Sequence, residues 1–189
     1  MTDLGSIVSK IVQPFDGGAL NASAVDLRLG SNAYKYNLTS PYIVGDDVLE
    51  NAQEFSDFSE YTLKKGETAF IGIKERIEMP KTMSGLIVPR SSVTRLGLSI
   101  STIYVHPGYS GNLPLTITNN TGVDVVLHPG IRIAQLVLQK MAFEPESYDM
   151  QQDAKYMDEN VSPSKLQYDP DIEALSKAVK KLFPFAAKD

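Results

Sequence analysis

Arg90, Ser91, Ser92 and Arg95 place two cations and two hydroxyls within six positions, inside Val88-Pro-Arg-Ser-Ser-Val-Thr-Arg-Leu-Gly-Leu98. Guanidinium forks match phosphate oxygens bidentately, and hydroxyls fill the remaining lone pairs. The cluster therefore suits a phosphate chain. An ordinary solvated loop can carry the same residues, so the cluster alone does not decide its use. Two further polar turns follow, Tyr104-Val-His-Pro-Gly-Tyr-Ser-Gly-Asn-Leu113 and His128-Pro-Gly-Ile-Arg-Ile-Ala-Gln-Leu136. His106 can act as a general base near neutral pH. The repeat of His-Pro-Gly at His128 equally suits a residue that only opens a turn.

These residues sit in a chain of 189 residues, enough for one domain with a sizeable core. The hydrophobic share of 42% is ordinary for a globular protein. A net charge of -5 gives no global field for nucleic acid, so cations that meet an anionic ligand must be local. With no cysteine and two histidines, a zinc deaminase site with His/Cys/Cys ligands cannot be built. The N-terminus lacks the basic and apolar regions of a signal peptide. No apolar run approaches the roughly 20 residues of a membrane span. A cytoplasmic protein without membrane contact is expected.

The elements that must position the polar clusters read as strands. Ala24 to Leu29 alternates apolar and charged side chains and is closed by Gly30. Asp26 and Arg28 share one face, either a solvent face with a cross-strand ion pair or a charged face turned into a subunit cleft. Residues 40–60 read as an acidic, irregular excursion. Strands are expected over Tyr61–Leu63, Glu67–Met79 around a Lys65-Gly66 turn, Ser84–Val88, Leu98–Val105, Asn112–Thr118, Val123–Leu127 and Ile131–Met141. Pro then Gly after His106 and after His128 suits type II turns. About ten short strands with little helix predict an all-β, distorted β-barrel or jelly-roll-like fold. Residues 1–150 are expected as a single barrel domain that carries the phosphate-binding cluster. Residues 151–189 are expected as a lid segment and an amphipathic helix. That helix places Ile172, Leu175, Val179 and Leu182 at helical spacing, with Asp171 as N-cap.

Five segments together resemble the dCTP deaminase/dUTPase superfamily, over roughly residues 12–165. They are Ala22-Ser-Ala-Val-Asp-Leu-Arg-Leu-Gly30, then Pro89-Arg-Ser-Ser92 with Arg95-Leu-Gly-Leu98, Pro107-Gly-Tyr-Ser-Gly111, Pro129-Gly-Ile-Arg-Ile-Ala-Gln135, and Asp153-Ala-Lys-Tyr156 followed by Ser162-Pro-Ser-Lys165. The resemblance implies a homotrimeric barrel with active sites at subunit interfaces, acting on dCTP or dUTP. It implies that Arg90, Ser91, Ser92 and Gln135 hold the triphosphate, with Mg2+ riding on the phosphates and no metal cage of its own. Tyr109 would pack on the deoxyribose. The backbone of residues 101–105, including Thr102 and Tyr104, would read the pyrimidine edge. Lys155, Tyr156 and Lys165 would close over the phosphates.

Two departures fall where this superfamily carries its reactions. The proton-shuttling glutamate of deaminases is Thr116 here, and residues 96–123 contain no Asp or Glu. The aspartate by which dUTPases orient the attacking water is His106. The hairpin Ser99–Tyr104 is short for a deaminase, and no glycine follows Gly130 to form a dUTPase-like closing motif. The catalytic set to weigh is therefore His106, Arg95, Ser91 and the Thr116 position. Three functions follow: a dCTP deaminase-type enzyme, a dUTPase-type diphosphohydrolase with His106 as base, or a non-catalytic nucleotide-binding trimer with a regulatory protein partner.

Overall fold

The computed structural model describes residues 3–182 apart from Ile43, Glu144, Gln152 and Asp153. Its strands are β1 Val12–Gln13, β2 Ala24–Tyr36, β3 Ala52–Phe55, β4 Tyr61–Leu63, β5 Thr68–Ile73, β6 Arg76–Glu78 and β7 Met83–Pro89. They continue as β8 Leu98–Ile100, β9 Ile103–Val105, β10 Ser110–Gly111, β11 Pro114–Asn119, β12 Val125–Leu127 and β13 Arg132–Lys140. Helices are α1 Asp3–Ile11, the single turn α2 Ser91–Thr94, and α3 Pro170–Leu182. The all-β expectation holds. No helix among the described residues is long and apolar enough to cross a membrane.

The main sheet runs β8-β11-β5-β2-β13-β7-β9, with β3 beside β2. Its two edge strands, β8 and β9, are consecutive in the chain and separated only by Ser101 and Thr102. Two residues bring the sheet's ends together, so the sheet must curl into a half-barrel. The expected Ser99–Tyr104 hairpin is therefore not a hairpin. β8 pairs with β11, and β9 pairs with β7. Alternation decides which side chains fill the barrel: Leu115, Ile117 and Asn119 of β11 point inward, between half-buried Pro114, Thr116 and Thr118. Asn119 is fully buried and fully bonded. Its Nδ2 donates to the Leu63 and Val123 carbonyls, and its Oδ1 accepts from Thr121. Both expected His-Pro-Gly turns form. Gly108 has φ 80° and Gly130 φ 90°. The Tyr109 N–H closes the first turn on the His106 carbonyl at 3.2 Å.

Several boundaries differ from expectation. β2 continues through Gly30 to Tyr36, because a register shift against β5 between Leu29 and Ala33 absorbs the glycine. β3 forms inside the segment expected to be irregular. α1 was not foreseen; Val8 and Ile11 anchor it in the core. Within the segment expected as a lid, Glu159 is buried. The chain forms two compact units, residues 1–35 with 54–162 and residues 36–53 with 163–189. In the second unit, Ile172 of α3 fills the space beside Gly45, where a β-carbon would stand 2.4 Å from its Cγ2. The helix starts at Pro170, so Asp171 lies in its first turn and is not its cap. Leu175 is 60% exposed. The side chains of Val179 and Leu182 lie outside the described ones.

Tyr61 sets a test of the core. It is buried between Phe55 and Phe58, and its hydroxyl has no hydrogen-bond partner among the described residues. Burial, with Glu67 adding, pushes its pKa from 10 up to about 12. The folded value is raised, so its contribution is complete below pH 10 and lost as pH climbs toward 12. Tyr61→Phe removes an unbonded buried hydroxyl and should gain about 1 kcal/mol at neutral pH. It should also flatten the alkaline loss. Urea unfolding at pH 7 and pH 11 checks both; a less stable Phe variant at pH 7 would contradict the reading.

Candidate functional site

Strand register builds the first half of the site. β13 lies between β2 and β7, with Gln135 opposite Asp26 on one side and Val88 on the other. Arg90 stands two residues beyond Val88, on the same face. Asp26, Gln135 and Arg90 therefore converge. Asp26 is 3% exposed. Its Oδ1 accepts hydrogen bonds from Gln135 Nε2 and Asn21 Nδ2, both at 2.9 Å. Arg90 Nε lies 3.5 Å from the same oxygen, and Arg132 Nη1 3.8 Å from Oδ2. Arg90 Nη1 donates to the Arg132 carbonyl at 3.2 Å. Arg132 also reaches Asp16, whose carboxyl is held below its usual range chiefly by the Gly18 N–H, with Arg132 assisting.

One buried carboxylate thus fixes two of the groups expected to meet phosphate, Arg90 and Gln135. Ser91 and Ser92 follow on α2, exposed, together with Arg95. The chain turns there because the Thr94 and Arg95 N–H groups bond back to the Arg90 and Ser91 carbonyls.

The second half forms around the 106–111 turn. The His106 ring stacks on Tyr148 at 5.3 Å and 14° and meets Tyr104 edge-on at 4.8 Å. Tyr104 and His106 are exposed. Tyr109, expected at the sugar, is 4% exposed. Its hydroxyl donates to Glu159 Oε1 at 3.2 Å, and Ser162 Oγ donates to the other oxygen of Glu159 at 2.8 Å. Burial and Glu159 raise the Tyr109 pKa.

The segment 147–162 is fastened along this turn. The Tyr148 N–H bonds to the Pro107 carbonyl, Asp158 N–H to Ser110, and Asn112 N–H to Glu159. Arg76 pairs with Asp158. Lys155 and Tyr156 ride on this segment, half-buried, and the Tyr156 N–H approaches the Tyr148 hydroxyl at 3.4 Å. Lys165 belongs to the second unit, where it precedes a short 3-10 turn. Thr116 sits on the outer face of β11, its carbonyl accepting from the Ser101 N–H at 3.1 Å. Thr102 is exposed at the corner between the sheet edges. Asp153 of the expected lid motif lies outside the described residues.

The two halves do not meet within one chain. Val105 pairs with Gly85, which puts His106 level with Ser84, while Arg90 follows Pro89 at the other end of β7. Six residues of strand separate the two positions by about 20 Å.

A family model described as dCTP deaminase-like matches residues 3–141. The chain belongs to that family. A dCTP deaminase, dUMP-forming, from Methanosphaera stadtmanae is 32% identical over 167 residues, covering 81% of this chain and 83% of the relative. A dCTP deaminase, dUMP-forming, from Corynebacterium glutamicum is 29% identical over 143 residues, covering 72% of this chain and 75% of the relative. Among solved structures, the 2'-deoxycytidine 5'-triphosphate deaminase of Agrobacterium tumefaciens superposes with a TM-score of 0.58 at 22% identity, covering 73% of this chain. The match spans 46% of that longer chain, and it shows a shared fold.

In this dCTP deaminase-like chain, residue types alone missed Asp26 as an anchor. Its strand face was legible, but its partners lie 64, 106 and 109 positions away, at Arg90, Arg132 and Gln135. Tyr148 and Glu159 were missed because they sit in a polar stretch without strand or helix periodicity.

Proposed function

We propose that the chain binds a pyrimidine deoxynucleoside triphosphate, dCTP or dUTP, as an enzyme of deoxynucleotide metabolism. The observation that carries this reading is the Asp26 anchor, which presents Arg90 and Gln135 together beside the Ser91 and Ser92 hydroxyls. A preformed pair of donors loses little conformational freedom on binding phosphate. Mg2+ fits as a passenger on the triphosphate. Among the described residues no three acidic or histidine side chains cluster to hold a metal, and Asp26 is already occupied by arginine and carboxamide groups. Such an ion would neutralise phosphate charge when bound. Arg95 and Ser91 would hold the phosphates that carry it.

The family's homotrimer agrees with the roughly 20 Å between Arg90 and His106 along β7. A site containing both takes Arg90 from one subunit and His106 from another. In this reading Tyr104 and Thr102 face the base. Tyr109 reaches the deoxyribose only where segment 147–162 withdraws from its ring, which would also free Lys155 and Tyr156 to close on the phosphates.

Hydrolysis is the second reading, favoured by the His106 ring, exposed and oriented between Tyr104 and Tyr148. A third, a binding-only trimer with a protein partner, is favoured by Thr116, whose hydroxyl is no base near neutral pH. Incubating the protein and Mg2+ with each canonical deoxynucleoside triphosphate and dUTP separates all three. Conversion of dCTP to a uracil nucleotide with release of ammonia marks a deaminase, release of a monophosphate without deamination marks a hydrolase, and unchanged nucleotides with a raised melting temperature mark a binding protein. If hydrolysis is observed, His106→Ala should lower kcat by about 100-fold or more with binding retained; equal turnover in both proteins would remove His106 from the mechanism.

A further inference from the structure

Asn32, Lys74, Asn112 and Asn160 converge on a cleft of about 320 Å3 that the nucleotide reading leaves unused. The cleft lies between β2, the corner after β5, the turn at Gly130 and segment 147–162. Its volume suits a small metabolite. No acidic side chain lines it. Among the described residues, Lys74 has no carboxylate partner, and the Asn160 carboxamide makes no hydrogen bond. Asn32 uses its Oδ1 to accept from the Asp57 N–H at 3.1 Å, which leaves its Nδ2 protons for the cleft. Asn112 makes only a long 3.5 Å bond to the Ile73 carbonyl.

The backbone around this cleft is unusually constrained. A β-carbon at Gly30 would stand 2.6 Å from the Gly72 carbonyl oxygen, and one at Gly72 would stand 2.5 Å from Val161 Cγ2. β2 and β5 therefore pack backbone against backbone at the wall, and the Val161 side chain fills the space over Gly72. Val161, β-branched, is held at φ 109°, in a region such residues avoid. That strained residue directly follows Asn160 and carries it to the rim. The β2 register shift lies between Leu29 and Ala33, and so turns Ser31 and Asn32 toward the same space. Strain and a bulge that converge on unpaired polar groups mark a binding site better than a packing accident.

We propose that this cleft binds a small oxyanion-bearing molecule, a phosphate monoester or a carboxylate. Lys74 supplies the counter-charge, and Asn32, Asn112 and Asn160 hydrogen-bond its polar groups. The site is separate from the Arg90 cluster and stands whether or not a nucleotide binds there. Its occupant fixes Asn160, next to Glu159, and so steadies the segment that holds the His106 turn.

The test is amide NMR on the 15N-labelled full chain, titrated separately with inorganic phosphate and with acetate. Wild type, Arg90→Ala and Lys74→Met are compared. Saturable shifts at Ser31, Asn32, Lys74 and Asn160 are expected in wild type and Arg90→Ala, with affinity about 10-fold weaker in Lys74→Met. A response to phosphate alone assigns a phosphate ester, to acetate alone a carboxylate, and to both an oxyanion of either kind. Shifts confined to residues 90–95, no shifts, or identical titrations in wild type and Lys74→Met would overturn the site.

Discussion

Asp26→Ala should remove measurable nucleotide binding and lower folding stability by about 2–3 kcal/mol. The carboxylate accepts from Gln135 and Asn21 and faces Arg90 and Arg132. Hydrogen bonds to a charged acceptor contribute about 1.5–3 kcal/mol each. Breaking a fully buried ion pair costs roughly 3–5 kcal/mol. The expected loss is smaller here because the Arg90 and Arg132 side chains are 34% and 37% exposed and turn to water. Binding suffers more than stability, because without the carboxylate Arg90 and Gln135 no longer point the same way. Asp26→Asn should behave almost as badly, since half its amide presents donors to groups that are themselves donors. Calorimetric titration and urea unfolding measure the two effects; unchanged nucleotide affinity in Asp26→Ala would contradict the anchor.

Arg90→Ala separates binding from folding. It should weaken the triphosphate at least about 100-fold, the loss of two charge-assisted hydrogen bonds to phosphate. Stability should change by less than about 1 kcal/mol, because Asp26 keeps Gln135, Asn21 and Arg132 as partners. The oligomeric state should be that of the wild type. The contrast is diagnostic: Asp26→Ala loses both properties, and Arg90→Ala loses one. A destabilised Arg90→Ala that still binds nucleotide would reverse the assignment.

The strands were legible because their inward residues alternate and their ends carry Pro, Gly or Asn. Pro107-Gly108 and Pro129-Gly130 announced their turns for the same reason. α1 escaped because Gly5, Ser6 and Ser9 are weak helix formers, and the helix depends on Val8 and Ile11 packing into the barrel. The burial of Glu159 was illegible because it depends on Tyr109, fifty positions earlier. The corner at Ser101-Thr102 looked like a hairpin because a two-residue connection normally joins paired strands. Only the curl of the sheet lets it join the two edges instead. For the candidate site, residue types pointed to Arg90, Ser91, Ser92 and Gln135. The carboxylate that organises them needed the register of three strands.

The most direct test of the central claim is a calorimetric titration of dCTP and of dUTP, each with Mg2+, into wild type and Arg90→Ala side by side. Saturable binding of at least one nucleotide to wild type, lost in Arg90→Ala, is the expected result. No binding of either nucleotide to wild type, or equal binding to both proteins, would contradict it.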